Sequence, residues 1–167
     1  MRRGARGGST VVEVVLWAPV AVLLLMGVVE LGRVAYTYVA LHKILYNLAR
    51  YLGTQQGVNF CDDTDATIEA AKNYALTGTL DATADPLIAN LTAEQIQVRI
   101  ERFNPDTQAL EQCDCSSSGC DTSAGGVAPY SIVVSLVEGY PIRLRFPRLV
   151  LDPIALRPQV RLPYGGT

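Results

Sequence analysis

The stretch that decides the fold is RRGARGGSTVVEVVLWAPVAVLLLMGVVELGRVAYTYVALHKILYNLARYL, which runs from Arg2 to Leu52. It opens with arginines and no acid, and it has no charged residue from Val14 to Val29. About 20 apolar residues are needed to cross the hydrocarbon of a bilayer, and residues 11–31 supply that length. We therefore expect one membrane-spanning helix near the N-terminus, followed by a domain that folds where this helix delivers it.

The charges around the span predict its orientation. Arg2, Arg3 and Arg6 precede it, and the positive-inside rule keeps such a flank in the cytoplasm and exports the rest. A cleaved secretory signal peptide is the alternative. It needs a small-residue cleavage site after the apolar run, whereas the run here continues into GVVELGRVAYTY.

Glu13 is the unusual residue of this span. Placing a carboxylate inside a membrane segment costs free energy, so such a residue is first considered a candidate functional site. If the chain is cut between Gly8 and Ser9, the new α-amino group of Ser9 lies about one helical turn from Glu13 and can pair with it. The same cut removes the leader arginines. Without a cut, Glu13 is a snorkelling residue at the interface of an ordinary anchor.

Beyond the span the apolar residues become strictly periodic. They recur at alternating steps of three and four, and so form an a/d-type stripe over three heptads: Leu31, Val34, Tyr38, Leu41, Leu45, Leu48 and Leu52. The helix is therefore predicted to continue as a stalk to about Gly53. The stripe can pack on the chain's own domain, on a neighbour's helix, or on both at different heights. Glu30 and Arg33 lie three residues apart and can pair on one face.

These residues resemble a known family. The junction from Gly8 to Glu13, GSTVVE, resembles the processing site of type IV prepilins and pseudopilins, in which a dedicated peptidase cuts after the glycine and the glutamate five places on is retained. The wider stretch resembles the TadE-like family, which comprises minor pseudopilins of the Tad (Flp) pilus system. The matching features are Arg6-Gly7, Val12-Glu13, Ala18-Pro19, Glu30–Arg33, Tyr36–Tyr38 and Ala49–Tyr51.

The resemblance implies a structural and assembly protein. It would be a minor pilin-like component of a Tad type IV pilus, processed by a prepilin peptidase and needed for pilus biogenesis or adherence. It would lie in the bacterial inner membrane, in contact with lipid, with its C-terminal domain periplasmic or extracellular or incorporated in a pilus. Its partners would be other pilins or pseudopilins, the assembly platform and the peptidase. The alternative is an uncut single-pass anchor that carries an extracytoplasmic binding module.

The remaining sequence predicts an α+β domain with an antiparallel sheet and short helices. The chain thus divides into a leader (residues 1–8), a transmembrane and stalk helix (9–53) and an exported domain (54–167). Acids at Asp62–Asp65 precede a helical pattern that ends at Gly78, and Asp85-Pro86 predicts a second short helix to about Asn90. Alternating apolar residues predict strands, at residues 96–101, 108–112, 130–137 and 140–146, with a short edge strand at 159–162.

Four cysteines lie in the exported part: Cys61, Cys113, Cys115 and Cys120. An even number outside the cytoplasm favours two disulfides. Because a Cys113–Cys115 bond would close a very tight ring, we expect Cys61 to pair with Cys113 or Cys115, and the other of these two to pair with Cys120. A zinc site with four thiolates is the alternative, although the C-D-C-x4-C spacing is unlike a zinc knuckle.

The charge distribution excludes a nucleic-acid partner and leaves two readings of the surface. The formal net charge is −2, and a phosphate-binding surface needs clustered positive charge. Acids dominate residues 61–121, whereas arginines dominate the C-terminal region, at Arg143, Arg145, Arg148, Arg157 and Arg161. These regions either neutralise each other within one chain or mediate contact between an acidic surface of one subunit and a basic surface of the next.

The sequence predicts no catalytic residue, no cofactor, no metal and no small-molecule substrate. The single histidine, His42, lies on the predicted stalk, so a nucleophile in the exported domain has no histidine base. No phosphate-binding glycine loop or H-E-x-x-H motif occurs. The acids at positions 62, 63 and 65 lack the remaining ligand spacing and the glycine of a calcium loop. We therefore expect a protein that is not an enzyme.

Overall fold

The computed structural model of the chain describes residues 7–80, 83–115, 126–146 and 151–165. One long helix, α1 (Gly7–Leu52), leads into a small C-terminal domain. This domain contains a second helix, α2 (Ala66–Thr77), a 3-10 turn at Ala93–Gln95, and β-strands in antiparallel pairs. The predicted α+β class is confirmed.

Helix α1 is continuous through Pro19 and has 46 residues, which corresponds to roughly 69 Å at 1.5 Å per residue. It ends where the stalk pattern predicts. The amide of Gly53 donates to the carbonyl of Ala49 at 2.9 Å, and the next amides form turn bonds back to the helix. The helix thus joins the apolar N-terminal segment to the C-terminal domain without a hinge in the backbone.

Helix α2 begins and ends with caps that the sequence predicts. The Asp65 carboxylate accepts hydrogen bonds from the amides of Thr67 at 2.8 Å and Ile68 at 3.3 Å, which satisfies donors that have no partner inside the helix. At the other end Gly78 has φ of +80°, and its amide donates to the carbonyl of Tyr74. Glycine adopts this left-handed conformation without steric cost.

Four strands form the main sheet, in the order β2-β1-β3-β6 and with every neighbouring pair antiparallel. Their bounds are Ile96–Asn104 for β1, Ala109–Gln112 for β2, Ser131–Leu136 for β3 and Gln159–Pro163 for β6. One face of β1 and β3 carries paired apolar side chains, such as Val98 opposite Val134 and Ile100 opposite Ile132. This face packs with α1 and α2 in one hydrophobic core.

The basic strand predicted at 140–146 is shorter than expected. Strand β4 covers Tyr140–Ile142 and pairs with β5 (Ile154–Leu156), which the sequence did not predict because prolines surround it. Residues 143–145 are outside any strand, and Phe146 forms an isolated bridge. The two strands form a small second sheet.

The helix predicted from Asp85-Pro86 to Asn90 is wrong. The structure has bends and turns there, and the Leu87 amide donates to the carbonyl of Leu76 at 2.8 Å. That bond holds the backbone of this segment against the end of α2. The Leu87 amide is therefore not available for a hydrogen bond within a helix of its own. Leu87 itself is exposed, whereas the next residue, Ile88, is partly buried against the core.

Candidate functional site

The first candidate site is the start of α1. Because the helix begins at Gly7, the bond between Gly8 and Ser9 lies within its first turn, and Glu13 follows Ser9 by four helical residues. Positions four apart in an α-helix are neighbours on one face. The backbone therefore places the predicted cleavage point and the Glu13 carboxylate on the same side of α1, roughly 6 Å apart along its axis.

The N-terminal half of α1 exposes apolar side chains on all sides. This helix is long and apolar enough to cross a membrane, and none of its most apolar window is buried by the rest of the protein. Leu16, Leu24 and Val28 are each about two-thirds exposed. A continuous apolar surface of this extent requires lipid or a partner to cover it, and it is compatible with a single-pass membrane anchor.

Glu30 and Arg33 lie on the same face of α1, as their spacing predicts, with the Arg33 Nη1 and Glu30 Oε2 atoms 3.6 Å apart. The Glu30 side chain is only 12% exposed, and its Oε2 has no hydrogen-bond partner among the residues that the structure describes. The pair therefore marks the point at which charge first returns to the helix after the apolar run.

The a/d stripe divides into two parts at the boundary of the C-terminal domain. Leu31 is 69% exposed and Tyr38 is 43% exposed, whereas Leu45 is fully buried. The buried members form the wall of the core of this domain: Leu41, Leu45, Leu48 and Leu52. The distal half of the stripe therefore packs on the chain's own domain, whereas in the proximal half Val34 is partly buried against the core and Leu31 and Tyr38 are exposed.

The comparison with protein families finds a match in this helix. The family model described as TadE-like protein matches residues 8–50. This segment is therefore similar to the TadE-like family. The match covers about a quarter of the 167 residues and includes Gly8, Glu13, the Glu30–Arg33 pair and most of the stripe. No curated protein and no solved structure matches the chain.

A disulfide joins the region after the TadE-like helix to the sheet. Cys61 is bonded to Cys115, which selects one of the two pairings left open by the sequence. Cys113 is also in a disulfide; its predicted partner, Cys120, lies outside the described residues. The Cys61–Cys115 bond closes a loop across a sequence separation of 54 residues and so fixes the entrance of α2 against the end of β2.

The acidic segment before α2 is ordered by its own side chains. The Asp62 carboxylate accepts hydrogen bonds from the hydroxyl of Thr64 at 2.6 Å and from its amide at 2.9 Å, and these bonds lower the pKa of Asp62. Asp65 caps α2. Each of these two acids therefore has a structural role in the local fold.

Among the residues that the structure describes, a charge of the acidic middle pairs with one of the basic C-terminal region between β1 and β6. The Nη2 atom of Arg161, on β6, lies 2.9 Å from Oε1 of Glu101, on β1. The other oxygen of Glu101 accepts from the Ser131 hydroxyl at 3.1 Å. This arrangement accounts for one of the C-terminal arginines, whereas Arg148 lies outside the described residues.

We find no arrangement of catalytic type in the described part of the chain. There, no group of three or more His, Cys, Asp or Glu side chains could hold a metal ion, and His42 lies exposed on α1. Two cavities with polar side chains in their lining lie beside α2 and beside the disulfide.

One feature near the TadE-like helix is not predicted by the sequence. Residues Arg143–Phe146, which we call the basic arm, follow β4, and Arg145 lines one cavity together with Glu30 and other residues of α1. In the sequence, arginine alternates with Leu144 and Phe146, and this alternation predicts a strand. The same alternation suits a segment that lies between an apolar and an aqueous medium.

Proposed function

We propose that the protein is a minor pilin-like component of a Tad (Flp) type IV pilus, needed for pilus biogenesis or adherence. The observation that carries this proposal is the division of α1. Its N-terminal half offers bare apolar surface on all sides, and its C-terminal half is the wall of a folded domain. One rigid helix thus supplies a membrane anchor and, after extraction, a surface for packing against other pilin helices. The TadE-like match over residues 8–50 supports the same function.

The proposed topology is a single pass through the bacterial inner membrane. The leader arginines hold the N-terminus in the cytoplasm, and residues 54–167 form the exported domain. The disulfide between Cys61 and Cys115 supports this side for the domain, because disulfides persist in oxidising compartments and are rare in the cytosol.

Processing is the second part of the proposal. A prepilin peptidase cuts after Gly8, which removes the basic leader and creates a free α-amino group on Ser9. Glu13 lies one turn further along the same helix and accepts this amine, or that of a neighbouring subunit, as an ion pair. Inside a low-dielectric membrane or filament such a pair offsets the cost of two isolated charges.

Mass spectrometry of the protein's N-terminus in its own cells tests this proposal. We expect a mature chain that begins at Ser9, and a full-length chain when the peptidase gene is removed. The variant G8A should stay uncut, whereas G7A, which changes the neighbouring glycine, should be processed as before. An intact Met1-Arg2 terminus in cells that contain the peptidase would favour the uncut anchored binding module instead.

A further inference from the structure

A cavity of about 250 Å³ lies between the basic arm and α1. Its helical wall consists of residues with the spacing of a single helix face: Val22, Leu25, Met26, Val29 and Glu30. This wall extends along α1 for roughly 12 Å. Arg145 forms the opposite side. The cavity is thus apolar along its length and cationic at one side.

The position of this cavity on α1 identifies its surroundings. Its wall belongs to the part of the helix that is apolar enough to span a membrane, and it ends at the Glu30–Arg33 pair, where charge returns. On the proposed topology this level is the outer boundary of the bilayer. The cavity that Arg145 lines therefore extends from the hydrocarbon to the level at which the lipid headgroups begin.

The charges around the cavity are positive overall. Glu30 is paired with Arg33 within α1. Arg143 and Arg145 are exposed, and among the described residues no carboxylate lies within ion-pair distance of either guanidinium. Arg145 lines the cavity and Arg143 precedes it by two residues in the arm, and a guanidinium is well suited to bind phosphate through two parallel N–H bonds.

We propose that the basic arm is a second membrane contact, which binds an anionic phospholipid on the exported face of the membrane. The phosphate is held by Arg143 and Arg145, and an acyl chain fills the apolar cavity against α1. Leu144 and Phe146, which are half-buried, lie at the interface with their arginine neighbours turned to the headgroups. This inference rests on the proposed membrane topology.

A depth measurement with brominated lipids tests the placement of the arm. The full chain, reconstituted in bilayers, contains one tryptophan, Trp17, which lies in the apolar half of α1. In the unaltered protein, quenching of Trp17 by bromine deep in the acyl chains reports insertion of the helix. Two double variants then each carry a single tryptophan at a new position. W17F/F146W places it in the arm, and W17F/F103W places it at the control position.

Phe103 is a suitable control because it lies at the opposite end of the domain and is 53% exposed. A chain of backbone hydrogen bonds places Glu101 of β1 near the end of α1. The Tyr130 amide donates to the Glu101 carbonyl, and the Tyr164 amide donates to the Tyr130 carbonyl. The next residue, Gly165, donates its amide to the carbonyl of Gly53, directly after α1. Position 103 continues β1 beyond that end, away from the membrane segment. We expect lipids brominated close to the headgroup to quench F146W at least threefold more strongly than F103W.

The lipid preference is measured on the same reconstituted protein by native mass spectrometry. In mixed phosphatidylglycerol and phosphatidylcholine bilayers, we expect R143Q and R145Q each to lower retention of phosphatidylglycerol about fivefold. R50Q is the matched control, since Arg50 is exposed on the last turn of α1. Equal retention of the two lipids, or an equal loss in R50Q, would overturn the assignment of the arginines.

The outcomes separate the two proposals. If Trp17 is quenched and F146W is quenched no more than F103W, the chain is inserted and the arm proposal alone is wrong. If Trp17 is not quenched, the membrane topology is wrong and the arm proposal fails with it. Shielding of F146W that appears only at high protein-to-lipid ratio would show that a second copy covers this face, and would also overturn the proposal.

Discussion

The hydroxyl of Tyr164 donates a hydrogen bond of 2.6 Å to the carbonyl of Gln55, across 109 residues of sequence. Nearby, the Gly165 amide donates to the carbonyl of Gly53 at 2.9 Å. The two bonds hold the end of the last strand against the end of the long helix. The domain is thus closed at the place where α1 ends, and its C-terminal segment is part of that closure.

We expect Y164F to destabilise the domain by about 0.5–1.5 kcal/mol, the usual net value of one hydrogen bond. The phenylalanine keeps the edge contact with Phe60, so the change isolates the hydroxyl. Denaturant unfolding of the detergent-solubilised protein measures the difference. Equal stability of the two proteins would mean that this bond does not contribute to the closure.

The same residue gives the stability of the domain a pH dependence. Burial raises the pKa of Tyr164 above its ordinary value of 10.0. A raised pKa in the folded state means that its contribution is complete below pH 10 and is lost as the pH rises through the folded-state pKa. The stability advantage over Y164F should therefore shrink above pH 10, and an advantage that stays constant there would contradict this assignment.

Leu31 and Leu45 are the same residue type on the same stripe, two heptads apart, but only Leu45 is buried. We expect L45A to destabilise the domain by about 2–5 kcal/mol through the lost contacts and the remaining cavity. L31A should change domain stability by less than about 0.5 kcal/mol. Thermal unfolding followed by near-UV circular dichroism compares them, and similar losses would show that Leu31 is packed too.

Removing the Cys61–Cys115 bond should loosen the whole domain. The double variant C61S/C115S avoids leaving a free thiol at either position. For a loop of this length the chain-entropy model gives a loss of about 4 kcal/mol. Denaturant unfolding of the variant and of the unaltered protein, both under non-reducing conditions that keep the disulfide of Cys113, measures the loss. A loss below about 1 kcal/mol would show that the bond is dispensable for the fold.

Gly139 and Gly78 both have φ of +80°, but they differ in the space around them. A Cβ at Gly139 would lie 2.8 Å from the Arg157 Cγ and 2.9 Å from the Leu156 carbonyl oxygen, whereas nothing lies within 4 Å at Gly78. G139A should therefore cost more stability than G78A, with a difference of at least about 1 kcal/mol. Unfolding curves that place the two variants together would exclude a steric role for the contact between Gly139 and β5.

Glu13 gives a prediction about assembly and not about stability. Because it lies far from the core, E13A should leave thermal unfolding of the C-terminal domain unchanged. In cells that carry E13A, the number of pili counted by electron microscopy should fall at least tenfold. Cells that carry E13D should form an intermediate number of pili, because aspartate keeps a carboxylate. Normal pili in cells that carry E13A would show that the carboxylate has no role in assembly.

The sequence was sufficient for elements whose apolar pattern is long or whose ends carry clear caps. The α1 helix, the Asp65 and Gly78 caps of α2, and the alternating strand β1 all follow local rules that tertiary contacts reinforce. The sequence-based prediction was wrong at residues 86–90, where Asp85 followed by Pro86 resembles the start of a helix. There a single backbone bond from Leu87 to Leu76 outweighs the local preference.

The candidate sites divide in the same way. The Glu30–Arg33 pair and the stripe could be predicted because their spacing along one helix fixes their geometry. The contact of Arg145 with the same helix depends on how β4 and β5 direct the chain, and no local pattern specifies that path. The uneven covering of the stripe likewise depends on where the domain stops along α1, which sequence periodicity does not encode.

The burial of Leu41, Leu45, Leu48 and Leu52 inside the domain has a mechanical consequence. In the proposed function α1 is pulled out of the bilayer during pilus assembly, and the load then acts on the middle of the hydrophobic core, through about three turns of helix that must shear together. On that function the domain resists as one body. Its strength against axial force, and not only its free energy of unfolding, sets how hard the anchor can be pulled before the protein comes apart.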